Sequence, residues 1–266
     1  MARLSMNLDL TGKTALVTGS TAGIGLAIAK GLAESGAHVW VNGRTQARVD
    51  SAIAKIRSLA PNARISAAPG DLVTEEGAQH VARAAPTVDI LVNNLGAVNA
   101  RKSFVDLTDD EWREMFEINV LSGVRITRFY LPQMRERAWG RIVFVSSESA
   151  LQIPTEMIHY AVSKAANIVV ARGVAEMFVG SGVTVNSVIP GPTLAQGLTK
   201  RITESGRSEA EYAEEFFRSA RPTSLARRFA STEEVANLVV YLCSPAASGT
   251  HGAALRVEGG ILKNAF

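Results

Sequence analysis

The sequence predicts an α/β fold: one doubly wound domain with a mostly parallel, seven-stranded sheet and helices on both faces. Three observations carry this. Short apolar runs alternate with longer segments of helical periodicity along the whole chain, the pattern of strands joined by crossover helices. The first of these units, Lys13 to Ala29, reads as a buried strand, a glycine turn and a helix. The chain has 266 residues, 47% apolar and 20% charged, which is enough for one full core without division.

In that first unit Ala15, Leu16 and Val17 form the continuous apolar run of a strand buried on both faces. Gly19, Gly23 and Gly25 punctuate the turn, and Ile24, Ile28 and Leu32 recur at helical spacing. The same reasoning places strands at residues 14–17, 38–42, 64–67, 90–92, 142–145, 184–188 and 254–257. Helices are expected at 24–34, 46–59, 75–84, 109–135, 159–179 and 233–242. Residues 193–228 are the least patterned. They are charged, contain Gly197, Gly206 and Pro222, and read as an insertion after the sixth strand that serves as a lid with short helices. No internal repeat or low-complexity tract divides the chain, so residues 1–266 are expected to form a single nucleotide-binding catalytic domain.

Ligands of doubly wound sheets bind beyond the carboxyl ends of the strands. The glycine turn, Asp71, Asn93, Ser147 and Pro190 all follow predicted strands, which argues for one shared site. A glycine turn feeding a helix lets the backbone approach a pyrophosphate and aims the helix N-terminus at it. The spacing here is Gly-x-x-x-Gly-x-Gly rather than Gly-x-Gly-x-x-Gly. Farther on, Ser146 and Ser147 close the run Ile142–Val145, and Tyr160 and Lys164 stand four apart on one helix face.

Composition excludes several classes. The net charge of +3 is spread without a basic run, and Arg227-Arg228 is too short a pair to make one, so no nucleic-acid partner is expected. No stretch approaches membrane-spanning length and the N-terminus lacks an apolar signal core. The single Cys243 has no internal partner, which fits a reducing cytoplasm. No metal site is expected.

Together, Thr18-Gly19-x-x-x-Gly23-x-Gly25, Asp71-Leu72, Asn93-Asn94-Leu95-Gly96, Asn119-Val120, Ser147, Tyr160-x-x-x-Lys164 and Pro190-Gly191 follow the order and spacing of one family. From about residue 10 to 260 the chain resembles the short-chain dehydrogenase/reductase family, in its 3-oxoacyl-acyl-carrier-protein-reductase-like subgroup. The resemblance implies a Rossmann fold, hydride transfer between a nicotinamide and a carbonyl or alcohol, and assembly as a homotetramer or homodimer. It implies Asn119, Ser147, Tyr160 and Lys164 as catalytic residues. It implies cofactor contacts from Gly19, Thr21, Gly23, Ile24, Gly25 and Arg44 at the first half of the sheet. Asp71, Leu72, Asn93, Gly96, Tyr160, Lys164, Pro190, Gly191 and Thr193 complete that set. Thr193 stands in for a family threonine that the chain lacks at 194, where it has Leu. The two long helices would pair across a two-fold axis, with Phe116, Leu121, Val124, Val169 and Val170 in the core or at the contact.

Carbonyl reduction needs a proton donor aimed at the oxygen. A tyrosine of ordinary pKa about 10 is mostly neutral at pH 7; Lys164 together with a positively charged oxidised nicotinamide would favour its phenolate and is expected to lower that pKa. Ser147 would hydrogen-bond the substrate oxygen. Cofactor choice rests on Asn42-Gly43-Arg44-Thr45, where an acidic residue would select NAD. Gly43 stands there instead, and Arg44 can pair with a 2′-phosphate, so NADP is expected, with NAD possible. The alternatives are an NAD-dependent dehydrogenase of a polar alcohol or sugar, or a dinucleotide sensor that has kept these residues. Glu148 and His159 flank the catalytic residues and are expected to line the substrate pocket, with Glu148 paired to His159, to an Arg such as Arg101, or to a substrate hydroxyl or amine, and to favour polar neutral, polyhydroxylated or cationic carbonyl compounds over anionic ones.

Overall fold

The computed structural model describes residues 6–98 and 101–264. Seven strands run β1 (Thr14–Val17), β2 (His38–Gly43), β3 (Arg64–Pro69), β4 (Ile90–Asn93), β5 (Gly140–Val145), β6 (Val183–Pro190) and β7 (Ala254–Val257). They form one sheet in the order β3-β2-β1-β4-β5-β6-β7, and every neighbouring pair is parallel. The sheet is therefore entirely parallel, one step beyond the mostly parallel sheet expected. Chain order reverses between β1 and β4, which opens the crevice where such sheets bind ligands.

Helices cover both faces, as buried parallel strands require. On one side α1 (Gly23–Glu34), α2 (Gln46–Leu59) and a late helix, α9 (Thr232–Cys243), pack with Ile28, Leu32, Val49, Ile56, Val235 and Val239. On the other, α3 (Glu75–Ala84), α5 (Ser122–Glu136) and α6 (Ile158–Glu176) bury Val81, Ile126, Tyr130 and Ala171 against Leu16, Leu91 and Phe144. Cys243 is fully buried in the first layer, as a packed thiol.

The expected helix at 109–135 is not continuous. It divides into α4 (Asp109–Phe116), a π-helical turn (Glu117–Leu121) and α5. The wide turn holds Asn119, and a π-bulge of this kind commonly marks a site. Residues 193–228 carry two helices, α7 (Gln196–Glu204) and α8 (Glu209–Ser219). These share a small apolar cluster of their own, Leu198, Ile202, Phe217 and Phe229, apart from the two main layers. Among the described residues no helix is long and apolar enough to cross a membrane, and no group of three or more metal-ligating side chains is gathered.

Candidate active site

The turn after β1 is locked by side chains that leave its backbone open. The Thr18 hydroxyl accepts hydrogen bonds from the backbone N–H groups of Asn94 and Leu95, both at 2.9 Å. Asn94 Nδ2 donates back to the carbonyls of Thr18 (2.9 Å) and Gly19 (3.1 Å). Gly19 has φ +59°, and a Cβ there would stand 3.0 Å from the Leu95 Cα. A Cβ at Gly25 would lie 2.4 Å from Asn94 Nδ2 and 2.6 Å from the Gly19 carbonyl. Ala22, the residue that starts α1, has no side-chain cap, so the first N–H groups of that helix are left for an anion.

Asn42 was not singled out from the sequence, yet it ties this turn together. It is 2% exposed. Its Oδ1 accepts from Gly19 N at 3.1 Å, and its Nδ2 donates to the carbonyls of Ala68 (2.9 Å) and Gly70 (3.2 Å). The signal was an amide at the end of an apolar strand, where a buried polar group must find partners.

At the end of β2, Arg44 is exposed, and Thr45, which starts α2, gives that helix no side-chain cap. A Cβ at Gly43 would come within 2.4 Å of Thr21 Cγ2. Asp71 Oδ1 accepts from Val73 N at 3.1 Å within its own loop. Two expected cofactor residues turn their side chains elsewhere. Leu72 is 1% exposed in the core, and Asn93 Nδ2 donates to the Thr127 hydroxyl at 2.8 Å. Their contacts with a nucleotide would run through the backbone.

The catalytic candidates meet where β4, β5 and α6 converge. The Ser146 hydroxyl donates to the Lys164 carbonyl at 2.7 Å and pins α6 to the end of β5. Lys164 Nζ donates to the Val145 carbonyl at 3.1 Å and lies 5.9 Å from the centre of the Tyr160 ring. A Cβ at Gly96 would come within 2.7 Å of that Nζ and 3.3 Å of Asn119 Oδ1. Gly96 thus leaves the space that both side chains use. Asn119 Oδ1 accepts from Ala97 N at 2.8 Å, and Nδ2 donates to the Ala97 carbonyl (3.0 Å) and the Ser163 hydroxyl (2.9 Å). Ser163 in turn donates to the Tyr160 carbonyl at 2.7 Å.

Burial raises the Tyr160 phenol above its ordinary pKa; the Ser147 hydroxyl pulls it down and the Glu148 charge reinforces the rise. Burial alone holds Lys164 down to about 8. Lys164, one of the two charges expected to lower the phenol, donates to the Val145 carbonyl, and burial is the largest influence on Tyr160.

Two cavities meet at the phenol. One, of about 300 Å³, runs past Gly19, Ile24, Gly96 and Lys164. The other, of about 580 Å³, is walled by Ser147, Glu148 and Thr193 and roofed by Leu198, Phe216 and Arg221 from the lid. Tyr160 lines both. A wider groove of about 1060 Å³ beside the glycine turn, between α1, α2 and α7, holds Thr21 and Arg48 but none of the catalytic candidates. Behind the site, Gly191 N donates to the Val257 carbonyl at 2.8 Å, and the Thr193 hydroxyl donates to the Gly191 carbonyl at 2.9 Å.

Glu148 is 4% exposed and lines the second cavity as expected, but its partner is Arg221, whose Nη2 and Nε donate to Oε1 at 2.9 and 3.2 Å. The partner is an arginine, as one of the expectations had it, but Arg221 rather than Arg101, and the pairing with His159 does not form. His159 is fully buried outside that cavity, its ring 6.1 Å from Trp112 edge to face, and burial lowers its pKa. Arg101 pairs with Glu156 at 2.8 Å. Arg101, Arg201 and Arg221 share the lining with Glu148 and Glu156, so the cavity carries charges of both signs.

Residues 13–205 match the family model described as short chain dehydrogenase. The chain belongs to the short-chain dehydrogenase/reductase family. It is 44% identical over 265 residues to the uncharacterized oxidoreductase YvaG of Bacillus subtilis, covering 98% of this chain and all of that one. Among solved structures it is similar to L-sorbose reductase from Gluconobacter frateurii, complexed with NADPH and L-sorbose, with a TM-score of 0.90 and 32% identity over 97% of this chain and 100% of that chain. It also resembles a 3-oxoacyl (acyl-carrier-protein) reductase from Agrobacterium tumefaciens C58 with NADP bound, with a TM-score of 0.87 and 30% identity over 97% of this chain and 98% of that one. The family membership agrees with the seven-stranded parallel sheet and makes the chain an oxidoreductase.

Proposed function

We propose that this protein is an NADP-dependent oxidoreductase that interconverts a carbonyl compound and its alcohol, with Tyr160 as the acid and base. The observation that carries this is the placement of Tyr160 on the shared wall of the two cavities, with Lys164 on the nucleotide side and Ser147 on the other. The residues present fit a dinucleotide. The glycine turn leaves no side chain in the cradle, α1 presents an uncapped N-terminus, and Gly96 keeps the cleft open.

Several features favour the 2′-phosphate form. Arg44 is exposed beside the uncapped start of α2, and Arg48 follows one turn later, so cationic groups and free N–H donors gather at one place. An acidic side chain at position 43 would collide with Thr21 before it reached a ribose.

When bound, the nicotinamide supplies the hydride that adds to the carbonyl carbon. The Ser147 hydroxyl donates a hydrogen bond to the carbonyl oxygen and fixes its position. As the C=O electron pair collapses onto oxygen, the neutral Tyr160 phenol gives up its proton to it. The raised pKa suits this direction, because the phenol enters the reaction protonated. Lys164 faces the nucleotide side as an ammonium and stabilises the phenolate left behind. Asn119 spends its side chain on Ala97 and Ser163, so its part is to hold the loop and α6 in register. Alcohol oxidation reverses each step.

A panel of ketones and alcohols followed at the nicotinamide absorbance with both cofactors tests this reading. NADPH should support faster turnover than NADH at matched concentrations; preference for NADH would overturn the assignment of Arg44. Val169 is 71% exposed on α6, and Leu121 and Phe129 are 36% and 44% exposed next to and on α5. This apolar face supports assembly as a homodimer or homotetramer, and sedimentation of a monomer alone at micromolar concentration would contradict it.

A further inference from the structure

Glu148 is a carboxylate sealed into the wall of the substrate cavity with only half of its acceptors used. Oε1 takes both Arg221 donors and the Ser149 hydroxyl, the last at 3.3 Å. Oε2 is buried and has no hydrogen-bond partner. A buried carboxylate oxygen without a donor loses its hydration and gains nothing for it, so such groups in native proteins call for an explanation. Among the described residues no side chain donates to it, Arg201 of the same cavity included. Arg101 is engaged by Glu156, and His159 packs on Trp112 outside the cavity.

The position of this oxygen defines what can complete it. Glu148 directly follows Ser147, whose hydroxyl holds the reacting oxygen in the mechanism above. Ser147, Glu148 and Tyr160 line one cavity and the Glu148 charge acts on the phenol, so Glu148 stands near the part of the substrate adjacent to the reacting carbon. Only a hydrogen-bond donor satisfies Oε2. An anion there would meet the carboxylate, and a cation would meet the Arg221 guanidinium that already shares it.

Resting on the carbonyl-reductase reading of this site, we propose that Glu148 is a specificity-determining residue. Its Oε2 accepts a hydrogen bond from a hydroxyl on the carbon next to the carbonyl. The substrates are hydroxylated ketones in reduction and the corresponding diols or polyols in oxidation. Arg221 neutralises and orients the carboxylate from the lid, so the hydroxyl is read only when the lid is seated.

The test compares kcat/KM with NADPH for 3-hydroxy-2-butanone and its methyl ether, 3-methoxy-2-butanone. The ether keeps the electron withdrawal at the carbonyl and loses the donor. The parent enzyme should prefer the hydroxyketone by about tenfold or more, the scale of a hydrogen bond to a charged group. Glu148→Gln, with a neutral acceptor of the same shape, should shrink the preference to a few-fold, and Glu148→Ala should abolish it. Glu148→Gln decides the matter if Glu148→Ala does not fold. Equal rates for the two ketones in the parent, or a preference unchanged in Glu148→Gln, would overturn the proposal and leave the carbonyl-reductase reading standing. Reduction of no ketone with either nicotinamide would overturn that reading, and this proposal with it.

Discussion

The frame of strand ends at β1, β2, β4 and β5 and the proposed lid at residues 193–228, which meets that frame across the cavity beyond β5, are built on different principles. At the strand ends nearly every polar side chain is tied to backbone. Asn42 spans three segments, Thr18 and Asn94 clasp one another's loops, and Ser146 anchors α6. The proposed lid carries a small apolar cluster, closed by Phe229 just beyond it, and reaches the body through the Arg221–Glu148 pair, a short bridge between Thr193 and Ala230, and the bonds of Thr223, Leu225 and Ala226 to Gly259 and Ile261. A frame of buried side-chain bonds is suited to holding reacting groups, and the helical part of the proposed lid, α7 and α8 with their own apolar cluster, to admitting and selecting substrate. On this view the chemistry belongs to the frame and the choice of substrate to the contact between frame and lid.

Changes in the frame should cost the most. Gly96→Ala keeps every catalytic residue but puts a methyl group 2.7 Å from Lys164 Nζ. Displacing the ammonium should lower kcat by on the order of 10²-fold, the scale of a misplacement near 1 Å. A kcat within a few-fold of the parent would mean that the frame yields more readily than its hydrogen bonds imply.

A change at the hinge of the comparison should act locally. Arg221→Gln leaves Glu148 buried without its counter-charge. Proteolytic cleavage within residues 193–228 should accelerate by roughly tenfold, because opening the lid relieves the buried charge while the sheet stays folded. If cleavage is unchanged and the whole protein melts earlier instead, lid and frame form one cooperative unit.

The smallest expected effect is a pH dependence of stability. The Lys164 pKa is held down from 10.5 to about 8 in the folded protein, by burial. Folding therefore disfavours its charged form, and the penalty is present in full below pH 8. It is relieved as pH rises from about 8 to 10.5, where the unfolded chain still binds the proton and the folded one has lost it. Relative to Lys164→Met, the parent should gain stability over that window, by about 3 kcal/mol at the most. Denaturant midpoints of the two proteins that move in parallel from pH 7.5 to 10 would contradict this.

The frame was legible in the sequence because its requirements are local. A buried parallel strand needs an apolar run, and a backbone that must approach another group closely needs glycine at fixed offsets, so β1, the turn and α1 were readable from residues 13–34. Tyr160 and Lys164 were readable because a helix places residues four apart on one face. The break in the helix over 109–135 was not, since the segment keeps helical periodicity through Asn119 and only the bonds of that side chain to Ala97 and Ser163 favour a wider turn. The partner of Glu148 was equally hidden. Arg221 lies far along the chain in the least patterned segment, and nothing in local spacing reports a contact that the fold of the lid creates. The direction of the Tyr160 shift depended on burial, which charge counting along one helix leaves out.

The central claim is that the Tyr160 phenol carries the proton at the junction of the two cavities. Tyr160→Phe removes that one oxygen and leaves the frame and the lid intact. Its kcat with NADPH and the best ketone of the panel should fall by about 10²–10⁴-fold, while NADPH affinity measured by fluorescence titration stays within a few-fold of the parent. Turnover close to the parent's, with NADPH bound normally, would show that the proton comes from elsewhere and would contradict the account.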